Sequence, residues 1–140
     1  MSITKGTKML MEFTYDFSKN GGAIGTVPLK EVAGNKLGTD ERIVGAYVIV
    51  DTPLASAGTP TVTFGPSSDL DGYFVDCWAV LSGADRAMGV GERDGALIWD
   101  TGNDTPKIYK PIVEANDAIM VIGANALTAG KLRFFLEILA

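Results

Sequence analysis

The sequence contains no histidine and only one cysteine, Cys77. A lone cysteine cannot form an internal disulfide, and zinc sites of the Cys/His type cannot be assembled. Without histidine the hydroxyl groups lack the usual general base, and no serine or threonine lies in a nucleophile elbow. We therefore expect no catalytic residues, no cofactor and no metal, and we expect Cys77 to be a small buried hydrophobic side chain.

Basic charge and long apolar runs are also scarce. The chain has 12 Lys and Arg against 17 Asp and Glu, a net charge of -5, and the basic residues form no stripe. Because neutralising several phosphates requires such a stripe, we expect no nucleic-acid partner. The longest apolar run is far below the ~20 residues of a transmembrane helix, and residues 1–8 lack the apolar segment of a secretion signal. We expect no membrane partner.

The length and composition of the chain are typical of one folded domain. Its 140 residues are enough for one core, and 46% of them are apolar while 21% are charged. That balance is typical of globular proteins and unlike that of disordered ones. We expect a single domain over residues 8–140, preceded by a polar arm over residues 1–7 whose only large apolar residue after Met1 is Ile3.

The run Ile43 to Asp51 predicts a strand at the centre of a sheet. Its sequence, Ile-Val-Gly-Ala-Tyr-Val-Ile-Val-Asp, places apolar residues in both alternating sets. A strand of this kind avoids water on both sides. We expect one face to lie on the main core and the other to be covered by a loop, a second element or another subunit.

Alternation of apolar and polar residues predicts seven more strands. They are residues 8–17, 23–29, 61–65, 96–99, 107–113, 118–124 and 131–139. Asn20-Gly21 is a favoured turn pair and predicts a hairpin between the first two strands. Pro28 cannot donate a ladder hydrogen bond, which predicts a position at the edge of a sheet or at the end of the strand. Residues 127–130 predict a turn that makes the last two strands a hairpin.

Residues 69–83 are the one segment with a different period. Phe74, Cys77, Trp78 and Leu81 recur at helical spacing, with Asp71 as a possible cap, and this predicts a short helix ending near Gly83. The same residues form an almost continuous apolar run, so a buried strand over residues 73–81 remains an alternative. No helix separates successive strands, so we predict an all-β fold: a two-sheet antiparallel β-sandwich or jelly roll with one short helix inserted.

Two acidic patterns suggest chemistry that their spacing does not support. Asp100-Thr101-Gly102, followed by residues 121–125, resembles segments of retroviral-type aspartic proteases, but too few residues intervene for a flap hairpin. An ordinary turn between strands is the simpler interpretation. Asp69, Asp71 and Asp76 lack the ligand spacing of an EF-hand, and capping of a helix start explains them without calcium.

Several strand-and-turn patterns resemble those of small proteins encoded among the head genes of tailed bacteriophages. They are Phe13-Thr-Tyr-Asp-Phe-Ser18, Asn20-Gly-Gly-Ala-Ile-Gly-Thr26, the strand Ile43 to Asp51, and Ala126-Leu-Thr-Ala-Gly-Lys-Leu-Arg-Phe-Phe-Leu-Glu137. Proteins of this kind are similar to capsid decoration, or cement, proteins built on a β-sandwich or jelly roll. The resemblance covers both ends and the first third of the chain, while residues 66–104 match no known pattern.

The resemblance implies a structural virion protein on the outer face of a phage capsid, made in the host cytoplasm. Its expected partners are the major capsid protein and sister copies in a homotrimer. The arm implies contacts with the capsid or with sister subunits, for which the candidate residues are Ile3, Thr4, Lys5 and Lys8.

A carbohydrate-binding or adhesion module of a phage tail or surface protein is the alternative. Beta-sandwiches often present aromatic side chains to sugars, and the candidates here are Tyr73, Trp78, Trp99 and Tyr109. Aromatic residues in alternating or helical register are more often part of the core.

Overall fold

The computed structural model describes residues 8–38, 40–83, 87–89, 92–100, 102–109 and 117–139. In these ranges the strands are β1 (Lys8–Asp16), β2 (Gly25–Pro28), β3 (Arg42–Ser56), β4 (Thr61–Gly65), β5 (Ala87–Met88), β6 (Trp99–Asp100), β7 (Thr105–Pro106), β8 (Ile119–Gly123) and β9 (Leu127–Leu139). The helices are α1 (Phe17–Asn20) and α2 (Trp78–Leu81). Neither has the length or apolar character that crossing a bilayer requires.

The described strands form two antiparallel sheets and one small ribbon. The larger sheet has the order β1-β9-β3-β5, the smaller sheet has the order β2-β8-β4, and β6 pairs with β7. Side chains from the inner faces of both sheets share one hydrophobic core. The predicted all-β sandwich is therefore confirmed.

Strand β3 lies inside the larger sheet, between β9 and β5, as the sequence predicts. Its register shifts between Ile43 and Gly45, so one extra residue interrupts the alternation there. As a result Ile43 is buried on the same side as Ala46 and Val48, whereas Val44 is half-buried. Simple alternation from Ile43 would have placed it with Gly45 and Tyr47.

The predicted hairpin at Asn20-Gly21 is wrong. Residues 17–20 form the single helical turn α1, and β2 joins the smaller sheet beside β8. The Asp16 carboxylate accepts the Ser18 N–H at 3.0 Å, and the Asn20 side chain accepts the Asp16 N–H at 2.8 Å, so polar side chains stabilise the helical turn. The edge position predicted for Pro28 is confirmed, because β2 is an edge strand.

The predicted turn at residues 127–130 is also wrong, because β9 already begins at Leu127. The chain reverses earlier, at Ala124, whose φ is 65°, and it passes there from the smaller sheet to the larger one. Gly130 has a φ of 141° and lies so close to Leu54 that a Cβ would be 2.4 Å from Leu54 Cδ2. The glycine that suggested a turn instead permits this close approach.

Helix α2 is shorter than predicted and begins at Trp78. The Phe74 N–H and C=O both bond to the backbone of Phe64, which holds the preceding residues against β4 and excludes a helix there. Asp76, and not Asp71, lies at the helix start, where its Oδ1 accepts the Trp78 N–H at 3.2 Å. The end near Gly83 is confirmed, since the Gly83 N–H bonds to Val80 O.

The middle of the chain contains less strand than predicted. Residues 96–98 form a turn, and only Trp99 of the predicted strand 96–99 is in β6. Of the predicted strand 107–113, Tyr109 forms an isolated bridge with Ile43, while residues 110–113 lie outside the described part.

Candidate interaction surface

The outer face of the larger sheet is the side of β1, β9 and β3 that points away from the smaller sheet. Strand register and burial assign residues to it. Its members are Lys8, Leu10, Glu12, Thr14 and Asp16 of β1; Lys131, Arg133, Phe135, Glu137 and Leu139 of β9; and Arg42, Gly45, Tyr47, Ile49 and Asp51 of β3.

The centre of this outer face is apolar. The rings of Tyr47 and Phe135 stack with centroids 4.7 Å apart and an interplanar angle of 18°. Phe135 is 7% exposed, Tyr47 is half-buried, and the neighbouring Leu10 is 48% exposed. Leu10 and Tyr47 line a groove of about 310 Å³ together with Lys8, Met9 and Glu137. Leu10 and Tyr47 therefore leave apolar surface exposed beside the buried Phe135, which makes this face a candidate interaction surface.

Gly45 makes room for an acidic group in this groove. A Cβ at Gly45 would lie 2.7 Å from Glu137 Oε1 and 3.2 Å from its Cδ. The Glu137 carboxylate therefore lies directly over the β3 backbone at Gly45. Glycine at this central strand position leaves space for the carboxylate beside the apolar centre.

The charges on the outer face balance. Arg133 binds Asp51 in a bidentate pair, with Nε–Oδ2 at 2.9 Å and Nη2–Oδ1 at 3.0 Å. The hydrogen bonds that Arg133 donates to Asp51 raise the pKa of the Arg133 guanidinium above its ordinary value. The complete set of charged residues is basic Lys8, Arg42, Lys131 and Arg133, and acidic Glu12, Asp16, Asp51 and Glu137. The face is neutral on a chain of net charge -5.

Strand β1 forms one edge of the larger sheet and is covered over only part of its length. The Glu12 N–H bonds to Glu31 Oε2 at 3.3 Å, and the Glu12 C=O accepts the Val32 N–H at 2.7 Å. Even-numbered residues of β1 therefore direct their backbone groups away from β9. Within the described residues, no partner bonds to the edge-facing backbone of Lys8 or Leu10, so that end of the strand is open.

The structure places one of the four predicted contact residues on this surface. Lys8 begins β1, is exposed and lines the groove. Ile3, Thr4 and Lys5 lie outside the described residues. Sequence reasoning missed Tyr47, Phe135 and Glu137, and the available signal was Leu10, the one apolar residue on the polar side of an otherwise regular alternation.

Asp100 and Gly102 of the Asp-Thr-Gly pattern lie at the turn between β6 and β7, as the sequence predicts. Asp100 ends β6, and β7 follows after a short connection. Its carboxylate accepts the Gly102 N–H at 3.0 Å and the Asn103 side-chain amide at 2.8 Å. The Asn103 hydrogen bond lowers the pKa of Asp100. The carboxylate stabilises its own turn.

The other acidic cluster also has local roles. Asp76 Oδ1 accepts the Val62 N–H at 3.1 Å as well as the Trp78 N–H. Burial and a side-chain hydrogen bond with Asp71 raise the pKa of Asp69. Across the described ranges, no three His, Cys, Asp or Glu residues are grouped so that they could hold a metal ion.

The candidate sugar-binding aromatics are mostly part of the core. Tyr73 is fully buried, and its hydroxyl donates to Asp117 O at 3.0 Å. Trp78 and Tyr109 are partly buried against the core. Trp99 differs, because it lines a surface groove with Asp94, Asp100 and Lys107.

Cys77 is a buried side chain, as predicted from its sequence context. It has no exposed surface, and its thiol donates to Val62 O at 3.1 Å. Burial raises the pKa of this thiol far above its ordinary value. A thiol in this environment fills space in the core and does not act as a nucleophile.

The fold is similar to chains in two solved phage capsid structures. The first is a chain of the cyanophage Pam1 capsid asymmetric unit, 16% identical, with a TM-score of 0.64; the alignment covers 100% of this chain and 90% of that one. The second comes from the acidic stable capsid structure of Helicobacter pylori bacteriophage KHP30, 14% identical, with a TM-score of 0.58, covering 98% and 90%. No family model and no curated protein matches the chain.

Proposed function

We propose that this protein is a structural component of a phage virion that decorates and stabilises the outer surface of the capsid as a homotrimer. The observation that carries the proposal is the similarity of the whole sandwich to chains found in two phage capsids. The alignments cover at least 98% of this chain and 90% of each capsid chain, so the similarity extends over the whole sandwich and is not confined to a fragment.

A decoration protein needs separate contact surfaces for the shell and for sister copies. The described residues expose large apolar side chains in distinct places: Leu10 lies on the outer face of the larger sheet, and Ile24, which precedes β2, is 60% exposed. The net charge of -5 favours solubility of the free protein before assembly.

We propose that the arm over residues 1–7 makes further contacts, in addition to those of the folded domain. Lys8 marks the point where the arm meets the domain of residues 8–140, at the rim of the groove on the outer face. We propose that Ile3, Thr4, Lys5 and Lys8 contact the capsid or a sister subunit. A trimer attaches at several points at once, so that modest single contacts give tight binding through multivalency.

Co-sedimentation with shells tests this function. Purified protein is mixed with expanded and with immature shells of the phage that encodes it, and the pellet is analysed. We expect a trimer that binds expanded shells and not immature ones, and weaker binding when residues 2–8 are deleted. The matched control is Val75→Ser, which changes one exposed residue and leaves the arm intact. A monomer that binds neither kind of shell would refute the proposal.

One observation favours carbohydrate binding as a second candidate function. Trp99 lines an open groove of about 390 Å³ whose wall includes Asp94, Asp100 and Lys107, and an aromatic ring beside carboxylates is a common arrangement for a sugar. Glycan binding that Trp99→Ala abolishes while the thermal unfolding curve stays unchanged would support this candidate. Unaltered binding, or none by the native chain, would dismiss it.

A further inference from the structure

We infer that sister copies of this chain meet through the outer face of the larger sheet and the open end of the β1 edge beside it. The inference rests on the proposed function, since it assigns the surface that builds the trimer. The partner of that face is a second copy of this chain.

Charge is the first reason to place a second copy there. The outer face carries four basic and four acidic residues, named above, so the remaining 8 basic and 13 acidic residues supply the whole net charge of -5. Two identical chains repel each other wherever each presents surplus negative charge. On the outer face this repulsion is absent, so two like chains can approach each other there.

The arrangement of these charges also lets one part of the face complement another part on the neighbouring copy, as the head-to-tail contacts of a trimer require. Strand register places Lys8 and Arg42 in one row across the sheet, on either side of Leu139. The next rows contain Glu137 and Glu12. A positive row therefore lies beside negative rows, and a second copy displaced by one or two rows brings basic groups opposite acidic ones.

The apolar centre of the face has the composition of a protein interface. Tyr and Phe are enriched at interface cores, where they are surrounded by polar groups that exclude water. Here the stacked Tyr47 and Phe135 and the exposed Leu10 are surrounded by the balanced charges. Val75, which is also exposed, lies instead beside Asp76 and lines a groove whose charged residues are Asp94, Asp100 and Lys107, so its surroundings carry surplus negative charge.

The edge of β1 adds backbone groups to this surface. Glu31 and Val32 cover the edge at Glu12, whereas the edge at Lys8 and Leu10 has no hydrogen-bonding partner within the described residues. An open strand edge next to an exposed apolar side chain binds extended backbone from another chain. In the trimer we place a segment of the neighbouring copy at this edge.

Sedimentation velocity of Leu10→Asp across a range of concentrations tests the inference. Leu10 is a surface position, so the variant should fold, and its circular dichroism spectrum and thermal unfolding check this. We expect the native chain to be trimeric. The Leu10→Asp trimer should already dissociate at a protein concentration at least ten times higher than the concentration at which the native trimer dissociates. The matched control Val75→Asp introduces the same charge at another exposed apolar position and should remain trimeric. A native chain that is monomeric throughout, or a Leu10→Asp variant as trimeric as the control, would overturn the inference.

A charge exchange gives a second, independent readout. Glu137→Lys should weaken the trimer, because the face then carries a net positive charge, and adding Lys8→Glu should restore it. A double variant no stronger than the single one would also contradict the inference. Shell binding separates this result from the proposed function. If Leu10→Asp remains trimeric while the native chain binds shells, only the interface is refuted. If the native chain is trimeric but does not bind shells, only the decoration role is refuted.

Discussion

The rings of Phe134 of β9 and Phe64 of β4 stack in parallel, with centroids 5.1 Å apart and an interplanar angle of 0°. Since β9 belongs to the larger sheet and β4 to the smaller one, this pair joins the two layers of the sandwich. The further rings around Phe134 are those of Phe13, Tyr73 and Phe74. Phe134 is therefore the centre of the aromatic core.

Phe134→Leu should be among the most destabilising conservative substitutions in the core. It removes the ring contacts with both sheets, each worth about 0.5–1.5 kcal/mol beyond area burial, so we expect a loss of roughly 2–3 kcal/mol. The matched control Phe135→Leu affects a ring stacked only on Tyr47 among the described residues, and should cost about 1 kcal/mol. Urea unfolding at one fixed protein concentration measures both. Equal losses would contradict the central role of Phe134.

Two glycines should respond differently to alanine. At Gly65 a Cβ would lie 1.9 Å from the Asp69 carbonyl oxygen, which is backbone and cannot move away cheaply. Gly65→Ala should cost about 3 kcal/mol or more. At Gly45 the nearest atom is the end of the flexible Glu137 side chain, so Gly45→Ala should cost less than about 1 kcal/mol. Thermal unfolding of both variants checks the difference, and the reverse order would show that the β4 end is not packed as described.

Asp71→Asn should stabilise the protein at neutral pH and change little in acid. Burial and the Asp71 side chain raise the pKa of Asp69 in the folded protein above its value in the unfolded chain. The contribution of Asp69 to stability is therefore complete at pH values below the unfolded pKa, and it is lost as the pH rises through the folded pKa. Removing the neighbouring carboxylate relieves this loss, and because the pair is largely hydrated the gain is roughly 0.5 kcal/mol. Unfolding free energies at pH 3 and pH 7 test this. A gain that is larger at pH 3 would contradict it.

Cys77 should be unreactive in the folded protein. Its side chain is buried, and burial raises the pKa of the thiol, so little thiolate forms at neutral pH. A thiol reagent such as DTNB should label it only at the rate of unfolding, and labelling should become fast in denaturant. Rapid stoichiometric labelling of the native protein would show that this region opens readily.

The core-facing halves of the long strands could be predicted from the sequence. Period-two alternation placed Met11, Phe13 and Tyr15 of β1 and Leu132 and Phe134 of β9 on one side, and all are buried. This succeeds because alternation is a local property that a single strand displays by itself. Lys8 was proposed on other grounds, from the contacts that the family resemblance implies for the arm, and it is the one candidate contact residue within the described ranges.

Pairing between distant segments could not be predicted. The backbone of Phe74 bonds to that of Phe64, which replaces the predicted start of the helix. The Leu127 N–H bonds to Gly22 O, which replaces the predicted turn. The groove on the outer face could not be predicted for the same reason, since it also depends on pairing between distant segments. Gly45 and Glu137 are far apart in sequence, and only the register of β3 with β9 places the carboxylate over the glycine.

The most direct measurement is a cryo-electron microscopy reconstruction of intact virions of the phage that encodes this chain. The account predicts density outside the shell into which the β-sandwich fits, in groups of three, with the outer faces of the larger sheets turned toward one another. A shell fully explained without this chain, or density for it on the inner side of the shell, would contradict the account.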